Sequence, residues 1–370
     1  MPQSPASPSL KTLAAALGVS VATVSRVLSG QAERYRISVA TRTRVLEAAS
    51  ASGIVVDQLA RSLRLRRTLS IGLVIPDISN PFFAQLARQI ERHARRHGYS
   101  VLIADSEEDA EVEAQAIRLM LSRRVDGLIL APVGTPATSA PLRSLGARPC
   151  VLVDRLLDDP PLPAVTSDHR RGAEIATLHL IERGHRRIAC VQGSPGTFAN
   201  DERIAGWRTA MAASGLPCGP ERVAGTGYSI DAAVAAAHAL LMRGERPTGI
   251  LALGNVLALG VLQAARDARI SIPDDLSLVA FDDQLWAAVT SPPLTIIEQP
   301  IEALGREVLE LLLARIASPT GGPPTRHILP VRLIERGSVS DLRHRNPTRV
   351  PISHRAADPS DNATRRVAAP

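Results

Sequence analysis

Residues 10–30 read LKTLAAALGVSVATVSRVLSG, and the rest of the chain is best understood outward from them. Leu10, Leu13, Ala14 and Leu17 form one helical stripe, Gly18 stops that helix, and Ser20 stands as the N-cap of a second one, VATVSRVL. Two helices joined by so short a turn have the spacing of a helix-turn-helix, whose second helix enters the major groove of DNA. On that second helix Val24 and Leu28 are expected to face a core, which leaves Val21, Ala22, Ser25 and Arg26 outward. Arg26 suits guanine, because a guanidinium pairs bidentately with O6 and N7, and Val21 and Ala22 suit a thymine methyl. Thr23 and Ser25 suit phosphate oxygens, and Ser20 joins the same DNA-facing set. On spacing alone, a plain helical hairpin with a solvated Arg26 fits as well.

A third helix follows Ser38, VATRTRVLEAAS, with Val39, Val45, Leu46 and Ala49 as its apolar side. Between the second and third helices lies AERYRIS, residues 32–38, with Tyr35 and Arg36 at its centre. From Asp57 the stretch DQLARSLRLRR is helical in pattern, with Leu59 and Leu63 four apart among four arginines. It is too short to be a stable helix in isolation, so its order is expected to depend on what it touches.

Charge is placed to match. Residues 1–70 carry ten Lys/Arg against three acids, residues 337–370 carry six against three, and the span between is mildly acidic, within a chain of net charge +7. A basic head on an acidic body fits a protein of which one part meets a polyanion. Aromatic residues are only 2%, too few for the stacking platforms of single-strand binders. Cys150, Cys190 and Cys218 are far apart, which offers neither a disulfide framework nor a zinc cluster. No apolar run reaches membrane-spanning length and the first residues hold no apolar signal core, so a soluble, cytoplasmic protein is expected.

From Ser70 the period changes. IGLVI, VLIADS, GLILAP and CVLVD read as buried strands separated by amphipathic helices, and the rhythm resumes with RIACVQG, GILALG and SLVAFDD. Two doubly wound α/β halves with parallel sheets follow. Open parallel sheets bind ligands at the carboxyl ends of their strands. There stand Phe82, Phe83, Asp154, Arg155, Asn255 and Asp282, with Arg203 entering the next helix. Carboxylates, an amide and guanidiniums with a few rings are fittings for a small hydroxylated or charged solute. Asn80, Ser194 and Asp283 read as structural caps. His93 and His97, four apart in ERHARRH, read as a solvated face rather than a metal site, and His179 and His185 as structural. No Gly-x-Ser-x-Gly elbow, P-loop or dinucleotide fingerprint occurs, so neither an enzyme nor a cofactor is expected.

The motifs LGVSVATVSRVLSG, TRTRVLEAA, LARSLR and IGLVIPDISNPFF resemble the lac-repressor (LacI) family of transcriptional regulators. The likeness continues through VLVDR, RIAGW, GNVLALG, IPDDLSLVAFDD and PLTIIEQP to about residue 336. It implies an N-terminal helix-turn-helix headpiece and hinge helix joined to a two-lobed body like periplasmic sugar-binding proteins. Residues 1–8 would be a disordered leader, 9–56 the headpiece, 57–69 the hinge and linker, 70–336 the body, and 337–370 a disordered basic tail. By the same resemblance Val21, Ala22 and Arg26 contact bases, and Leu63 is the wedge that a hinge helix inserts into the minor groove. Arg203, Asn255 and Asp282 would hydrogen-bond an effector, with Phe82 and Phe83 at its entrance. The partners implied are palindromic double-stranded operator DNA, a sugar or sugar phosphate as effector, and a second copy of the chain. A dimer rather than a tetramer is expected, since the tail lacks leucine heptads. The helix from Phe83 and the segment 101–122, with Leu119 and Met120, are candidate dimer contacts.

The chain departs from the family at four places. The family's common Asp or equivalent in the first helix is Thr12. Tyr-x-Pro-Asn before the hinge is replaced by Ile54, Val55, Val56 and Asp57. The cleft pair Asn-Asp is Asn255-Val256, and Asp-Asn is Asp168-His169. The loop around Tyr35 and Arg36 is similar to a lengthened loop in the fructose-repressor branch, which leaves these two as either DNA contacts or a plain surface loop.

Overall fold

A computed structural model describes residues 9–28, 30–52, 67–133, 142, 145, 148–157, 162–318 and 324–343. The leader, the hinge stretch with Leu63 and the chain beyond residue 343 lie outside the described residues. Three helices open the chain: α1 (Leu10–Leu17), α2 (Val21–Leu28) and α3 (Val39–Ala51). Ser9 and Thr12 start α1 as a capping box, each side chain accepting from the other's backbone N–H at 3.2 and 2.9 Å. Gly18, at φ 65°, ends it in the left-handed conformation that glycine adopts without steric cost. The axes of α1 and α2 meet at 108°. Leu13, Ala14, Val24, Val27, Ala32, Val45 and Ala49 form their shared core.

Two apolar assignments change. Val27 is buried where Leu28 was expected, with Leu28 only packed against the core. On α3, Val39 is 79% exposed and Leu46 44% exposed, while Val45 and Ala49 alone of the four turn inward. A domain this small has only one narrow core, which one side of a 13-residue helix fills.

The body holds two six-stranded sheets among the described residues. The N-terminal lobe contains β1 (Ser70–Ile75), β2 (Ser100–Asp105), β3 (Gly127–Leu130), β4 (Cys150–Val153), β5 (Ala164–Ser167) and β11 (Arg326–Leu329). They are ordered β11-β5-β4-β3-β1-β2, all parallel. Its flanking helices are α4 (Pro81–Arg96), α5 (Ala110–Ser122) and α11 (Ile301–Ala317). Alternation along β1 builds both faces: Ile71, Leu73 and Ile75 pack with α4 and α11, and Val74 packs with α5.

The second lobe has β6 (Ile188–Val191), β7 (Val223–Ala224), β8 (Gly249–Ala252), β9 (Ser277–Phe281), β10 (Thr295–Glu298) and β12 (Arg332–Ile334), ordered β12-β10-β9-β8-β6-β7. Only β12 runs antiparallel among them. Its helices are α6 (His169–Glu182), α7 (Phe198–Ala213), α8 (Ile230–Leu241), α9 (Asn255–Asp267) and the short α10 (Leu285–Val289).

The chain passes between lobes three times, at Asp168, at Gln299–Pro300 and at Pro330–Val331. At Gly206 a Cβ would lie 2.0 Å from the carbonyl oxygen of Arg170, so α7 meets α6 with nothing between backbones. Gly206→Ala is therefore expected to destabilise the body by about 1–3 kcal/mol through overpacking. A urea titration with an unshifted midpoint would show that the two helices separate freely.

Three expectations for the body are corrected. Residues 337–343 are not tail. The Ser338 hydroxyl accepts from Thr295 N at 2.8 Å and donates to Leu278 O at 2.6 Å, and Leu342 N donates to Arg183 O at 2.7 Å. A polar stretch with no period is thus tied to the sheet by its backbone and serine hydroxyls, a mode of order that hydropathy does not register. Met120 is buried against Gly72 in the core, leaving Leu119, 48% exposed, as the outward residue. His93 is buried rather than solvated, while His97 is exposed.

Candidate functional site

On the headpiece, Ser20 Oγ accepts from Thr23 N at 3.0 Å and lies 2.9 Å from Thr23 Oγ1, so these two hydroxyls build the start of α2. Val21 and Ala22 are exposed, and Ser25 and Arg26 half-buried on the same helix. The guanidinium of Arg26 stacks on the Tyr35 ring, its Cζ 4.0 Å from the ring centroid. Arg36 is exposed, at φ 51°.

At the start of the body one carboxylate pins residues 68 and 69. Asp126 accepts from Thr68 N at 2.7 Å, Thr68 Oγ1 at 3.0 Å and Leu69 N at 2.9 Å. Nothing in the sequence singled out Asp126, because its partners, two backbone N–H groups and the Thr68 hydroxyl, lie far away along the chain.

Between the lobes lies a narrow cleft with about 30 Å³ of free volume in this lobe orientation. Phe82, Phe83, Asp154, Arg155, Arg203, Asn255 and Asp282 all line it, together with Asn80, Tyr228 and Gln299. Asp154 follows β4 and Asp282 follows β9, each at the carboxyl end of a parallel strand and each left-handed, at φ 64° and 73°. The left-handed turn directs the chain away from the sheet at both strand ends, and aspartate tolerates it better than most residues.

Around Asp282 the polar groups interlock. Its Oδ1 accepts from Gln299 Nε2 at 2.6 Å and its Oδ2 from Asn255 Nδ2 at 3.0 Å. Asn255 Nδ2 also donates to Asn80 Oδ1 at 2.9 Å, joining the lobes, and a second bridge runs from Gln85 Nε2 to Gln284 Oε1 at 2.7 Å. Asn80 does cap α4, accepting from Phe82 N at 3.1 Å, so it serves cap and cleft together. Asp283, read as a cap, instead pairs with Arg336 at 2.7 and 2.9 Å.

The arginines are already engaged. Arg155 makes a bidentate pair with Glu108, at 2.6 and 2.7 Å, which holds its guanidinium charged more firmly than usual despite burial. It lies between rings of both lobes, 5.6 Å from the Phe83 centroid and 5.2 Å from that of Tyr228. Tyr228 in turn packs against Gly193, where a Cβ would come within 2.2 Å of the ring. Arg203 donates to Leu253 O at 2.6 Å and to His169 Nδ1 at 3.1 Å, and stacks on Phe281 at 4.2 Å. Because Nδ1 accepts, the His169 proton sits on Nε2 and points to Asp154 O at 3.2 Å. Burial first, then Arg203, holds His169 well below its ordinary 6.5, so the ring is neutral. Its 3.5 Å approach to Asp154 Oδ1 is therefore no ion pair.

Asp154 keeps Oδ1 buried without a partner, as do Asn255 Oδ1 and Gln299 Oε1. Burial raises the Asp154 carboxyl from 3.8 to about 6, against the opposing pull of Arg203 and Arg155. His169, Tyr228 and Gln299 were not among the residues singled out for this site. His169 stood out only as a departure from a family motif, Tyr228 follows a strand of two residues, and Gln299 sits on a crossover rather than at a sheet-to-helix turn.

A helix-turn-helix head on a two-lobed α/β body with a polar cleft defines a DNA-binding transcriptional regulator. A family model for bacterial regulatory proteins, lacI family, matches residues 9–53, and one for the periplasmic binding protein-like domain matches residues 177–339. The HTH-type transcriptional regulator DegA of Bacillus subtilis is 34% identical over 333 residues, 89% of this chain and 97% of that protein. The lac repressor dimer bound to operator and the anti-inducer ONPF is similar with a TM-score of 0.80 at 25% identity, covering 90% of this chain and 99% of that one. A LacI family transcriptional regulator from Enterococcus faecium with bound ribose has a TM-score of 0.65 at 32% identity, over 74% of this chain and 99% of that one. The chain belongs to the lacI family of bacterial regulatory proteins, and it is a regulator rather than an enzyme.

Proposed function

We propose that this regulator acts in the cytoplasm as a dimeric repressor on a two-fold operator and that an uncharged sugar in the interlobe cleft controls it. The observation that carries the effector reading is the pair of carboxylates, Asp154 and Asp282, at matching strand ends of the two lobes, beside three buried oxygens that lack partners, Asp154 Oδ1, Asn255 Oδ1 and Gln299 Oε1. Carboxylate and amide oxygens accept from hydroxyls, and a buried acceptor left alone costs about 1–3 kcal/mol that a ligand hydroxyl recovers. A phosphorylated sugar fits less well, because Glu108 already neutralises Arg155 and Arg203 is turned to Leu253 and His169. The ribose-bound relative supports the same class. Calorimetry with ribose, then a panel of pentoses, hexoses and their phosphates, tests this; binding confined to the phosphates would overturn it.

Val21, Ala22 and Arg26 read bases, Ser20, Thr23, Ser25 and Arg36 meet the backbone, and Leu63 enters the minor groove at the operator centre. Arg26→Ala is expected to lower specific operator affinity by about 1–3 kcal/mol with the fold intact. An unchanged base preference in a binding-site selection would remove Arg26 from the reading set. Exposed Ile78, Ile103 and Leu119 on one lobe, and Leu285 and Val289, 90% and 81% exposed, on the other, support a second copy of the chain as partner. Among the described residues no single helix is long and apolar enough to cross a membrane.

Control follows from lobe geometry. The Asn80–Asn255 and Gln85–Gln284 hydrogen bonds and the Arg155–Tyr228 stack join the lobes, so a ligand between them biases one lobe orientation. Moving the population from 1:99 to 99:1 takes a preference of about 5.5 kcal/mol. Asp126 passes that orientation to the residues that leave the body for the hinge.

A further inference from the structure

We propose that Tyr35 is a positioning residue for Arg26: its ring holds the guanidinium in place before DNA arrives and thereby sharpens base selection. The proposal rests on the reading of Arg26 as a base-reading residue, and the experiment below separates the two.

The loop that carries Tyr35 is built, not slack. It closes back on α2 at once, with Gly30 N donating to Val27 O at 2.9 Å and Gln31 N to the carbonyl of Arg26 itself at 2.9 Å. Ala32 plugs the headpiece core at 2% exposure, and Ile37 packs against that core with its N–H on Ala32 O at 2.8 Å. Tyr35 N donates to Gln31 O at 3.2 Å, Arg36 N donates to Glu33 O at 3.0 Å, and Arg36 turns left-handed at φ 51°. Glu33 pairs with Arg42 of α3 at 3.6 Å. The Tyr35 backbone is therefore fixed relative to α2 from both sides.

Its side chain meets Arg26 of the recognition helix. The Arg26 Cζ lies 4.0 Å from the ring centroid, well inside the range of a cation–π contact, and Arg34 approaches the same ring at 6.0 Å. The geometry is compatible with base reading. A stacked guanidinium has one face covered, whereas the hydrogen bonds that pair with guanine O6 and N7 leave in its plane. Arginine has several torsions to immobilise on binding, and a ring that already restricts them reduces what remains to be ordered. The consequence is selectivity more than raw affinity. A guanidinium held in one plane loses more at a wrong base than one that swings to a neighbouring phosphate.

The test uses the full-length protein and duplex DNA. A library randomised over about two helical turns is enriched on the wild-type protein, and the enriched duplex is then varied one base pair at a time. Binding is measured for Tyr35→Ala, Tyr35→Leu, Tyr35→Phe, Arg26→Ala and the double variant Tyr35→Ala/Arg26→Ala, with thermal melts confirming that each is folded. At the base pair whose discrimination Arg26→Ala removes, Tyr35→Ala and Tyr35→Leu should lose about two- to fivefold in discrimination. Tyr35→Phe should retain it, and the double variant should match Arg26→Ala alone. Full discrimination in Tyr35→Ala beside a collapse in Arg26→Ala overturns the role of Tyr35 and leaves Arg26 as a reader. A further loss from Tyr35→Ala in the Arg26→Ala background would mean that Tyr35 touches DNA itself, which also overturns it. If Arg26→Ala leaves discrimination untouched, both the base-reading assignment and the positioning role fall.

Discussion

Asp282→Ala is expected to abolish the response to effector, with the half-effective concentration raised at least about 100-fold, while operator binding in the absence of effector stays within a few-fold of wild type. Both oxygens of this carboxylate organise the cleft: Gln299 and Asn255 donate to them, and Asn255 reaches on to Asn80 of the other lobe. Removing the carboxylate takes an acceptor from the Gln299 and Asn255 amides, which loosens the polar network that joins the lobes at this point. Alanine is also disfavoured at φ 73° by about 1–2 kcal/mol, whereas asparagine tolerates that turn. Asp282→Asn therefore serves as the cleaner companion, and it should lose effector affinity with a smaller loss of stability. Fluorescence anisotropy of an operator duplex, titrated with the effector found by calorimetry, reads both quantities. A normal dose response in either variant would remove Asp282 from the effector site.

Asp154→Asn is expected to do the reverse to stability. The native carboxyl titrates near 6 and the unfolded one near 3.8, so the folded protein holds this proton through the window between. The contribution is therefore fully present below about 3.8, declines as pH rises through 6, and leaves a buried charge at neutral pH. That charge costs on the order of 3 kcal/mol, and asparagine removes it while keeping the left-handed turn. Thermal melts at pH 7.5 should show Asp154→Asn more stable than wild type without effector, the gain shrinking toward pH 4. Effector affinity should fall at the same time, because a hydroxyl acceptor has been lost. An equal or lower melting temperature at pH 7.5 would show that Arg155 and Arg203 already compensate the carboxylate.

The buried histidines act with the opposite sign in both proteins. His169 lies well below 6.5 and His179 near 4, each lowered first by burial and then by an adjacent arginine. Unfolded histidines take up protons below about 6.5, so these two destabilise the body as pH falls. The difference between variant and wild type isolates Asp154 from this background.

Much of the site was legible because a parallel sheet announces its own carboxyl ends. A run such as CVLV must be a buried strand, so the next residue, Asp154, must emerge at the rim; the same holds for SLVAF and Asp282. The roles within the site were less legible. Arg155 read only as one of the charged fittings at a strand end, but Glu108, 47 residues earlier, reaches it from a loop in left-handed conformation. Neither its distance along the chain nor its surroundings in sequence reveal that pairing.

By itself the sequence determined the helix-turn-helix, the βα rhythm of two lobes and which strand ends carry polar groups. Periodicity, capping residues and short turns are local properties, and they suffice for elements and their order. The tertiary structure decided that Arg26 rests on Tyr35, that residues 337–343 complete the second lobe, and that the cleft arginines are already paired. Those outcomes depend on contacts between distant segments, where geometry and desolvation choose among partners that the sequence offers equally.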